Sequence, residues 1–342
     1  MKSEVSEIEG GGIGGPSLPS LLLDLNALPQ DCIAAVLSFT TPCDACRLSA
    51  VSTTFKSAAE SDAVWESFLP SDYRAIIPSS LASKKALYLS LCDNPILIEG
   101  GRKSFSLERG SGKKCYMLSA RDLSIVWGDT PTYWRWISIP ESRFEEVAEL
   151  LSVCWLEIRG RISISMLSPM THYKAYLVFK ATTAGAYGFD LQSVEVGVGL
   201  VGTEGQKRAV YLDTERRRGR RYPIAPRGIG LFTRSRLFGL QASVPTTASD
   251  DQYPKARVDG WLEIELGEFF NEGCIDEELE MSVLEIEGGH WKGGLVIQGI
   301  EIRPNLCGGS ENNALVPSDL CLNAGILSRP DPKKQDFSAS LP

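Results

Sequence analysis

The chain has 342 residues, of which 43% are hydrophobic and 23% are charged, and its formal net charge is −8 at pH 7. This composition is typical of a globular protein of about two domains. The acidic balance disfavours binding to nucleic-acid phosphates, and no apolar run reaches the roughly 18 residues of a membrane-spanning helix. The nine cysteines are odd in number and scattered, which is typical of reduced intracellular thiols rather than a disulfide framework.

The first part of the chain changes from a flexible composition to helical periodicity. Residues 1–23 are acidic and rich in Gly, Ser and Pro, so we expect disorder rather than a secretory signal. From residue 24 the apolar residues recur at helical spacing, which predicts a unit of three short helices over 24–70 and a helical linker over 71–95. Cys43 and Cys46 form a CxxC pair without a second pair, so neither a metal nor another cofactor is expected.

After residue 95 the apolar period becomes two, which predicts strands. Val194, Val196 and Val198, for example, alternate with Glu195 and Gly197. We therefore predict an α+β protein in which residues 96–303 form a mostly antiparallel β-sandwich. A short helix is expected at 141–151, where Phe144, Val147, Leu150 and Leu151 share a helical face, and residues 304–342 are expected to be a disordered tail.

One segment of the β domain is basic. Residues 203–258 contain twelve Lys or Arg and five acidic residues, with the run Arg216–Arg221 at the centre. We predict a loop segment there. We favour a solvated loop between two strands, and the run is also compatible with a nuclear-import signal or a polyanion patch.

The helical unit closely resembles an F-box. The resemblance rests on an ordered set of residues rather than on any single position: Leu28-Pro29, Ile33, Val36-Leu37, Leu48, Val51-Ser52, Phe55 and Trp65. It implies docking to a Skp-type adaptor and, through the adaptor, to the cullin of a ubiquitin ligase. On the matching positions, we expect the docking contacts at Leu28, Pro29, Ile33, Leu37, Leu48, Val51 and Trp65. The alternative for apolar residues of this unit is a place in its core, which we favour for Val36, Phe55 and Phe68.

Residues 96–303 resemble the phloem protein 2-like domain, whose relatives include the Nictaba-type plant lectins. Together with the F-box, the resemblance identifies the chain as a plant F-box protein of the phloem protein 2-B class. It implies a lectin-like sandwich of jelly-roll type. The segments that carry the resemblance are Lys113–Leu123, Trp127–Pro131, Tyr133–Trp136, Val153–Ile158, Asp259–Glu263 and Gly288–Leu295.

Relatives of this domain use two tryptophans and two glutamates to bind N-acetylglucosamine-containing glycans. The carry-over favours Trp127 and Trp134 with Glu280 and Glu287, and the pair Glu278 and Glu285 has the same spacing. A switch in the polar parity near Val283-Leu284 predicts a β-bulge that would keep all these acids on the outer face. The alternative is that the tryptophans belong to the core, which we favour for three others: Trp155, Trp261 and Trp291.

The resemblance implies a non-catalytic receptor subunit in the nucleus and cytoplasm. The F-box would join the ligase, and the β domain would select a target through a glycan or through direct protein contact. Two alternatives remain: a stand-alone lectin acting in stress or defence, and recruitment of nucleic acid by the basic run. We expect neither a membrane partner nor an enzymatic activity.

Overall fold

The structure, a computed structural model, describes residues 28–76, 83–189, 192–203, 205–213, 252–273 and 277–305. Helices precede an antiparallel β domain, which confirms the predicted α+β class. Residues 1–23 and the Arg216–Arg221 run lie outside the described residues, as does the tail beyond residue 305. No helix among the described residues is long and apolar enough to cross a membrane.

The helical unit and its linker contain six helices within the described residues. Four of them, rather than the three predicted, lie in the segment that resembles an F-box. Side-chain caps mark several starts: Thr41 Oγ1 accepts from Asp44 N at 3.1 Å, and Ser52 Oγ accepts from Phe55 N at 3.2 Å, which satisfies backbone donors that a helix leaves free. The helices are α1 Gln30–Leu37, α2 Pro42–Leu48, α3 Thr53–Ala59, α4 Asp62–Phe68, α5 Tyr73–Ile76 and α6 Lys84–Asp93.

The β domain contains fourteen strands within the described residues, and they form two sheets. Two of these strands lie inside the segment predicted to be a basic loop. The strands are β1 Ile96–Ile98, β2 Lys103–Leu107, β3 Lys114–Ser119, β4 Ser124–Ile125, β5 Trp134–Ile137, β6 Val147–Leu150, β7 Leu156–Ser163, β8 Thr171–Ala181, β9 Val194–Leu200, β10 Gln206–Val210, β11 Lys255–Ala256, β12 Leu262–Asn271, β13 Glu278–Glu285 and β14 Leu295–Pro304.

The two sheets pack face to face around an apolar core. The larger follows the order β1, β2, β3, β14, β8, β12, β11, with β6 also pairing with β14 and with β5; the smaller follows β10, β9, β13, β7, β4. Strands of the smaller sheet alternate between buried and open positions, as the two-residue period predicts. Gly160 in β7 allows close packing, because a Cβ there would lie 2.9 Å from Leu123 Cδ2.

The helix predicted at 141–151 is absent, and β6 occupies its C-terminal half. Val147 and Phe144 pack in a small cluster with Trp261, whereas Ala148 and Leu150 belong to the main core. Apolar residues on both faces of one short strand give the same spacing as one face of a helix, so the pattern was misread.

The helical unit packs directly against the β domain, and residues of both belong to one continuous core. The Tyr88 hydroxyl of α6 lies 3.1 Å from Glu108 O and 2.9 Å from Arg109 O in the turn between β2 and β3. Cys43 N donates to Gly110 O of the same turn at 3.3 Å. These contacts fix the helices at the end of the sandwich where β3 and β8 begin.

Candidate functional site

The outer side of α1 carries an apolar stripe. Pro29, Cys32, Val36 and Phe39 follow one another at helical spacing, and all four are exposed. The exposed fraction is 57% for Val36 and 91% for Phe39. Exposure of large apolar side chains to water is unfavourable, so a contiguous exposed stripe of this kind is typical of a protein-binding surface.

Three of the seven predicted docking residues lie in the core of the helical unit. Ile33 and Leu37 are 2% and 0% exposed on the inner side of α1. Trp65 is 1% exposed, its ring centroid is 5.2 Å from that of Tyr88, and its Nε1 donates to Ala59 O at 2.6 Å. The prediction of adaptor contacts at these three positions is therefore corrected: the neighbouring helices already cover them.

The other four predicted docking residues remain accessible to different extents. Pro29 and Val51 are exposed, and Leu28 and Leu48 are half-buried against the core. The assignment of Val36 to the core was wrong, because Val36 lies on the exposed stripe. The spacing of residues 29, 32, 36 and 39 is the signal that would have identified this stripe from the sequence.

At the opposite end of the sandwich, Trp127 lies in the turn after β4. Its side chain is 43% exposed, and its ring centroid is 5.2 Å from that of Tyr133. Its backbone φ of 58° is in the left-handed region, which is unfavourable for a bulky residue. Strained residues of this kind concentrate at functional sites, so Trp127 is a candidate ligand contact.

Trp134 is a core residue, which corrects its prediction as a surface contact. It is 2% exposed in β5 and pairs with Leu150 of β6. Seven residues separate it from Trp127, but the turn after β4 leaves one ring outside and the other inside. The two tryptophans therefore do not present a common exposed face.

The two predicted glutamates lie apart from each other. Glu280 is in the middle of the outer face of the smaller sheet, where its carboxylate oxygens are 2.7 Å from Arg159 Nη1 and 2.7 Å from Arg161 Nη2. Partial burial opposes its ionisation, but the hydrogen bonds from both arginines outweigh burial and lower the pKa of Glu280. Glu287 is exposed beyond the end of β13.

The predicted bulge in β13 is absent, since its register with β7 is continuous from Glu278 to Glu285. The regular alternation places Glu285 inside, where it forms an ion pair with Lys292. Lys292 Nζ also donates to Cys154 O at 3.0 Å, and Gln192 Nε2 donates to Glu285 at 2.6 Å. These bonds hold in place a buried charge pair whose glutamate the polar pattern alone placed on the surface.

Two tryptophans assigned to the core are exposed instead. Trp155 is 40% and Trp291 is 56% exposed, whereas Trp261 is 1% exposed as predicted. Trp155 comes before the first paired position of β7 and Trp291 lies in the loop before β14. Both belong to the same end of the sandwich as Trp127, which the sequence pattern did not reveal.

The described residues contain no cluster of three or more His, Cys, Asp or Glu that could hold a metal ion. The candidate binding surfaces among these residues are the apolar stripe on α1 and, at the other end of the sandwich, the exposed aromatic rings with their neighbouring paired charges.

Family models match both parts of the chain. The F-box domain model matches residues 25–67, and the phloem protein 2 model matches residues 113–304. The chain belongs to the F-box proteins with a phloem protein 2 domain.

Relatives within this family match most of the chain. The chain is 49% identical over 300 residues to F-box protein PP2-B1 of Arabidopsis thaliana, covering 82% of this chain and 89% of the relative. It is 52% identical over 279 residues to putative F-box protein PP2-B12 of the same plant, covering 81% and 96% respectively. Among solved structures, a family 35 carbohydrate binding module from Clostridium thermocellum aligns with a TM-score of 0.27 and 7% identity over 55% of this chain and 96% of the module. That similarity is too low to bear on the ligand of this family member.

Proposed function

We propose that this F-box protein is the target-recognition subunit of a cullin-based ubiquitin ligase and that its α1 stripe binds a Skp-type adaptor. The observation that carries the proposal is the exposure of Phe39 and Val36 on a unit whose inner residues are already packed. Complete burial of one such side chain contributes roughly 1.5–3 kcal/mol. The chain would contribute proximity and orientation, and the chemistry of ubiquitin transfer would belong to other subunits.

Adaptor binding is tested by pull-down of a purified Skp-type adaptor with the full chain. The double variant Val36→Asp, Phe39→Asp is expected to weaken binding more than about tenfold, because two charges would be buried in the interface. Val258→Asp is the matched control, since Val258 is an exposed valine of the β domain. Unchanged binding by the double variant would contradict the proposal.

Target selection is the second part of the proposal. We propose that the phloem protein 2 domain binds an N-acetylglucosamine-containing glycan on a target protein, supported by the exposed and strained Trp127. An indole face packs well against the apolar face of a sugar ring. Direct protein contact is the alternative, and a stand-alone lectin would bind glycans without binding the adaptor.

Glycan binding is tested with an array of N-acetylglucosamine- and galactose-containing oligosaccharides. The full chain is expected to bind a defined subset, and Trp127→Ala is expected to weaken that binding. Met170→Ala is a control, because Met170 is 70% exposed in the loop before β8, at the other end of the sandwich. A blank array from folded protein would move target selection to protein contacts.

We also propose that the protein acts in the nucleus and cytoplasm, supported only by the basic composition of the Arg216–Arg221 run. Imaging of a fluorescent fusion with and without Gln at these arginines tests this. A salt-sensitive interaction of the same run with nucleic acid would support the alternative role.

A further inference from the structure

A trough crosses the outer face of the smaller sheet. It consists of two adjoining hollows of about 430 and 440 Å³ that share Lys207 and Leu284. One row across four strands shows its profile: Arg159 of β7 pairs with Ser282, Ser282 with Gly197, and Gly197 with Lys207. Long charged side chains therefore form two walls, and the smallest residues form the floor.

The length of the trough follows from the strands beneath it. It runs along β9, whose seven residues span roughly 20 Å at about 3.3 Å per residue. A Cβ at Gly197 would lie 3.3 Å from Ser282 Oγ, so a side chain there would occupy the floor. The small residues keep open a space that is long enough for several sugar rings.

The charges of the trough are paired with one another. Arg159 contacts Glu157 at 2.8 Å and Glu280 at 2.7 Å, and Lys207 contacts Glu195 at 2.9 Å. The walls therefore present hydrogen-bond donors and acceptors side by side. Because their charges already neutralise one another, a ligand does not need to be charged. Hydroxyl groups both donate and accept hydrogen bonds, so this surface fits a neutral polyhydroxylated chain better than a phosphate backbone.

One end of the trough adjoins an aromatic platform formed by Trp155, which lies beside Ile286, a lining residue of one hollow. Trp155 precedes β7 and Ile286 follows β13 at the same margin of the sheet, and they are 40% and 39% exposed. Trp155 Nε1 donates to Glu157 Oε2 at 3.1 Å, which fixes the indole on the outer face. Hydrogen bonds from Arg159 and Trp155 lower the pKa of Glu157, so its carboxylate is a charged acceptor at neutral pH.

We infer that this trough holds the glycan chain of the target, with Trp155 stacking on a sugar ring and Arg159, Glu280 and Lys207 bonding its hydroxyls. The inference rests on the proposed glycan-binding function and extends the binding surface from the turn that carries Trp127, which adjoins the start of β7 through the bond from Val126 N to Glu157 O. Ser282 and Leu284 lie under the chain in this arrangement.

The test measures binding of the full chain and its variants to the same array of N-acetylglucosamine- and galactose-containing oligosaccharides. Ser282→Leu fills the floor and Trp155→Ala removes the platform. Each is expected to weaken binding about tenfold, the effect of one lost stacking contact or one blocked subsite. Ser165→Leu and Trp291→Ala are matched controls on an exposed serine just after β7 and an exposed tryptophan, both outside the trough.

Circular dichroism of each variant verifies the fold before binding is measured. Weakening by Ser282→Leu and Trp155→Ala, with both controls near wild type, supports the inference. If Ser282→Leu retains wild-type binding while Trp127→Ala loses it, the trough is overturned and the proposed glycan function stands. If folded wild-type protein binds no oligosaccharide, the trough and the glycan function both fail.

Discussion

Lys292 is a fully buried cation whose contacts organise the loop before β14. It pairs with Glu285 and donates to Cys154 O at 3.0 Å, while Gly288 N donates to Glu285 Oε1 at 3.0 Å. These bonds connect the end of β13, the start of β7 and the loop that presents Trp291. Desolvation of the two charged groups offsets much of their attraction, so a buried pair of this kind adds little to the free energy of unfolding. Its main effect is to fix the relative positions of these three segments.

Lys292→Met is predicted to destabilise the protein by about 3–5 kcal/mol, because Glu285 would remain as an unpaired buried charge. The free energy of unfolding is measured by urea denaturation monitored by circular dichroism.

The double variant Glu285→Leu, Lys292→Met is the control for this pair. It removes both charges and is expected to recover most of the loss. If the single and double variants are equally destabilised, packing of the lysine stem rather than an orphaned charge is responsible.

Residue-scale patterns predicted burial well only inside regular strands. The alternation in β9 correctly identified Val194, Val196 and Val198 as inner residues and Glu195 as an outer one. The core predictions for Trp155 and Trp291 were wrong because each residue lies just outside a paired segment. No neighbouring strand determines there which face of the sheet the side chain points to. The prediction for Glu285 was wrong because a polar residue on the buried face changes the parity of the polar pattern, which is also the signature of a β-bulge. Only the position of its partner Lys292 distinguishes the two cases.

At the scale of elements, a charge network joins two strands of the larger sheet, β12 and β14, and the segment before β12. Arg257 Nη1 contacts Glu263 at 2.9 Å and Glu301 at 2.6 Å, and Arg303 contacts both glutamates. Burial raises the pKa of Glu301, but the hydrogen bond and charge of Arg257 outweigh burial, so the pKa lies below its usual value. Ionised Glu301 therefore stabilises the fold more than protonated Glu301 does.

Glu301→Gln is predicted to lower stability at neutral pH and to lose its effect in acid. A carboxylate with a lowered folded pKa contributes fully above the unfolded value of about 4.3, and the contribution is lost as pH falls through the folded pKa. The difference between the urea midpoints of wild type and variant should therefore be constant near pH 7 and should narrow as pH falls below about 4.3.

The exposed variant Glu287→Gln is the control for this pH series and is expected to parallel wild type. A constant difference between wild type and Glu301→Gln across the series would refute a role for Glu301 ionisation.

Periodicity predicted that residues 96–303 are mostly β and failed where a strand is covered on both sides. β6 was read as a helix because Val147 and Leu150 are apolar and three apart, yet they face different clusters. In α1 the resemblance found the correct unit, but a motif does not distinguish residues that face a partner from those that face the core. Ile33 and Val36 exchanged these roles relative to the prediction.

At the scale of the whole molecule, the helices and the sandwich form a single packed body. The Tyr88 ring lies 5.2 Å from Trp65 and its hydroxyl bonds the turn between β2 and β3. Lys114 Nζ adds an ion pair with Asp72 at 2.8 Å. We therefore expect the described parts of the F-box and of the phloem protein 2 domain to move together rather than independently.

The full chain is predicted to unfold in one transition, because the two parts share a core. Helical circular dichroism and tryptophan fluorescence should give the same urea midpoint. Tyr88→Ala should lower both urea midpoints together. The expected loss in the free energy of unfolding is about 3–5 kcal/mol, as for other large-to-small core substitutions.

Tyr187→Ala, at an exposed tyrosine of the opposite end, is the control. Two separate midpoints in the wild-type chain would show that the F-box and the β domain fold independently.

The exposed stripe and the exposed tryptophans lie at opposite ends of β8, whose eleven residues span roughly 33 Å at about 3.3 Å per residue. Under the proposed function, this strand sets a fixed reach between ligase and target. A bound glycoprotein would be presented in one orientation, so only lysines within a limited zone of its surface would meet the activated ubiquitin. Moving the glycan attachment point along a target should then change which lysines are modified, even where affinity is unchanged.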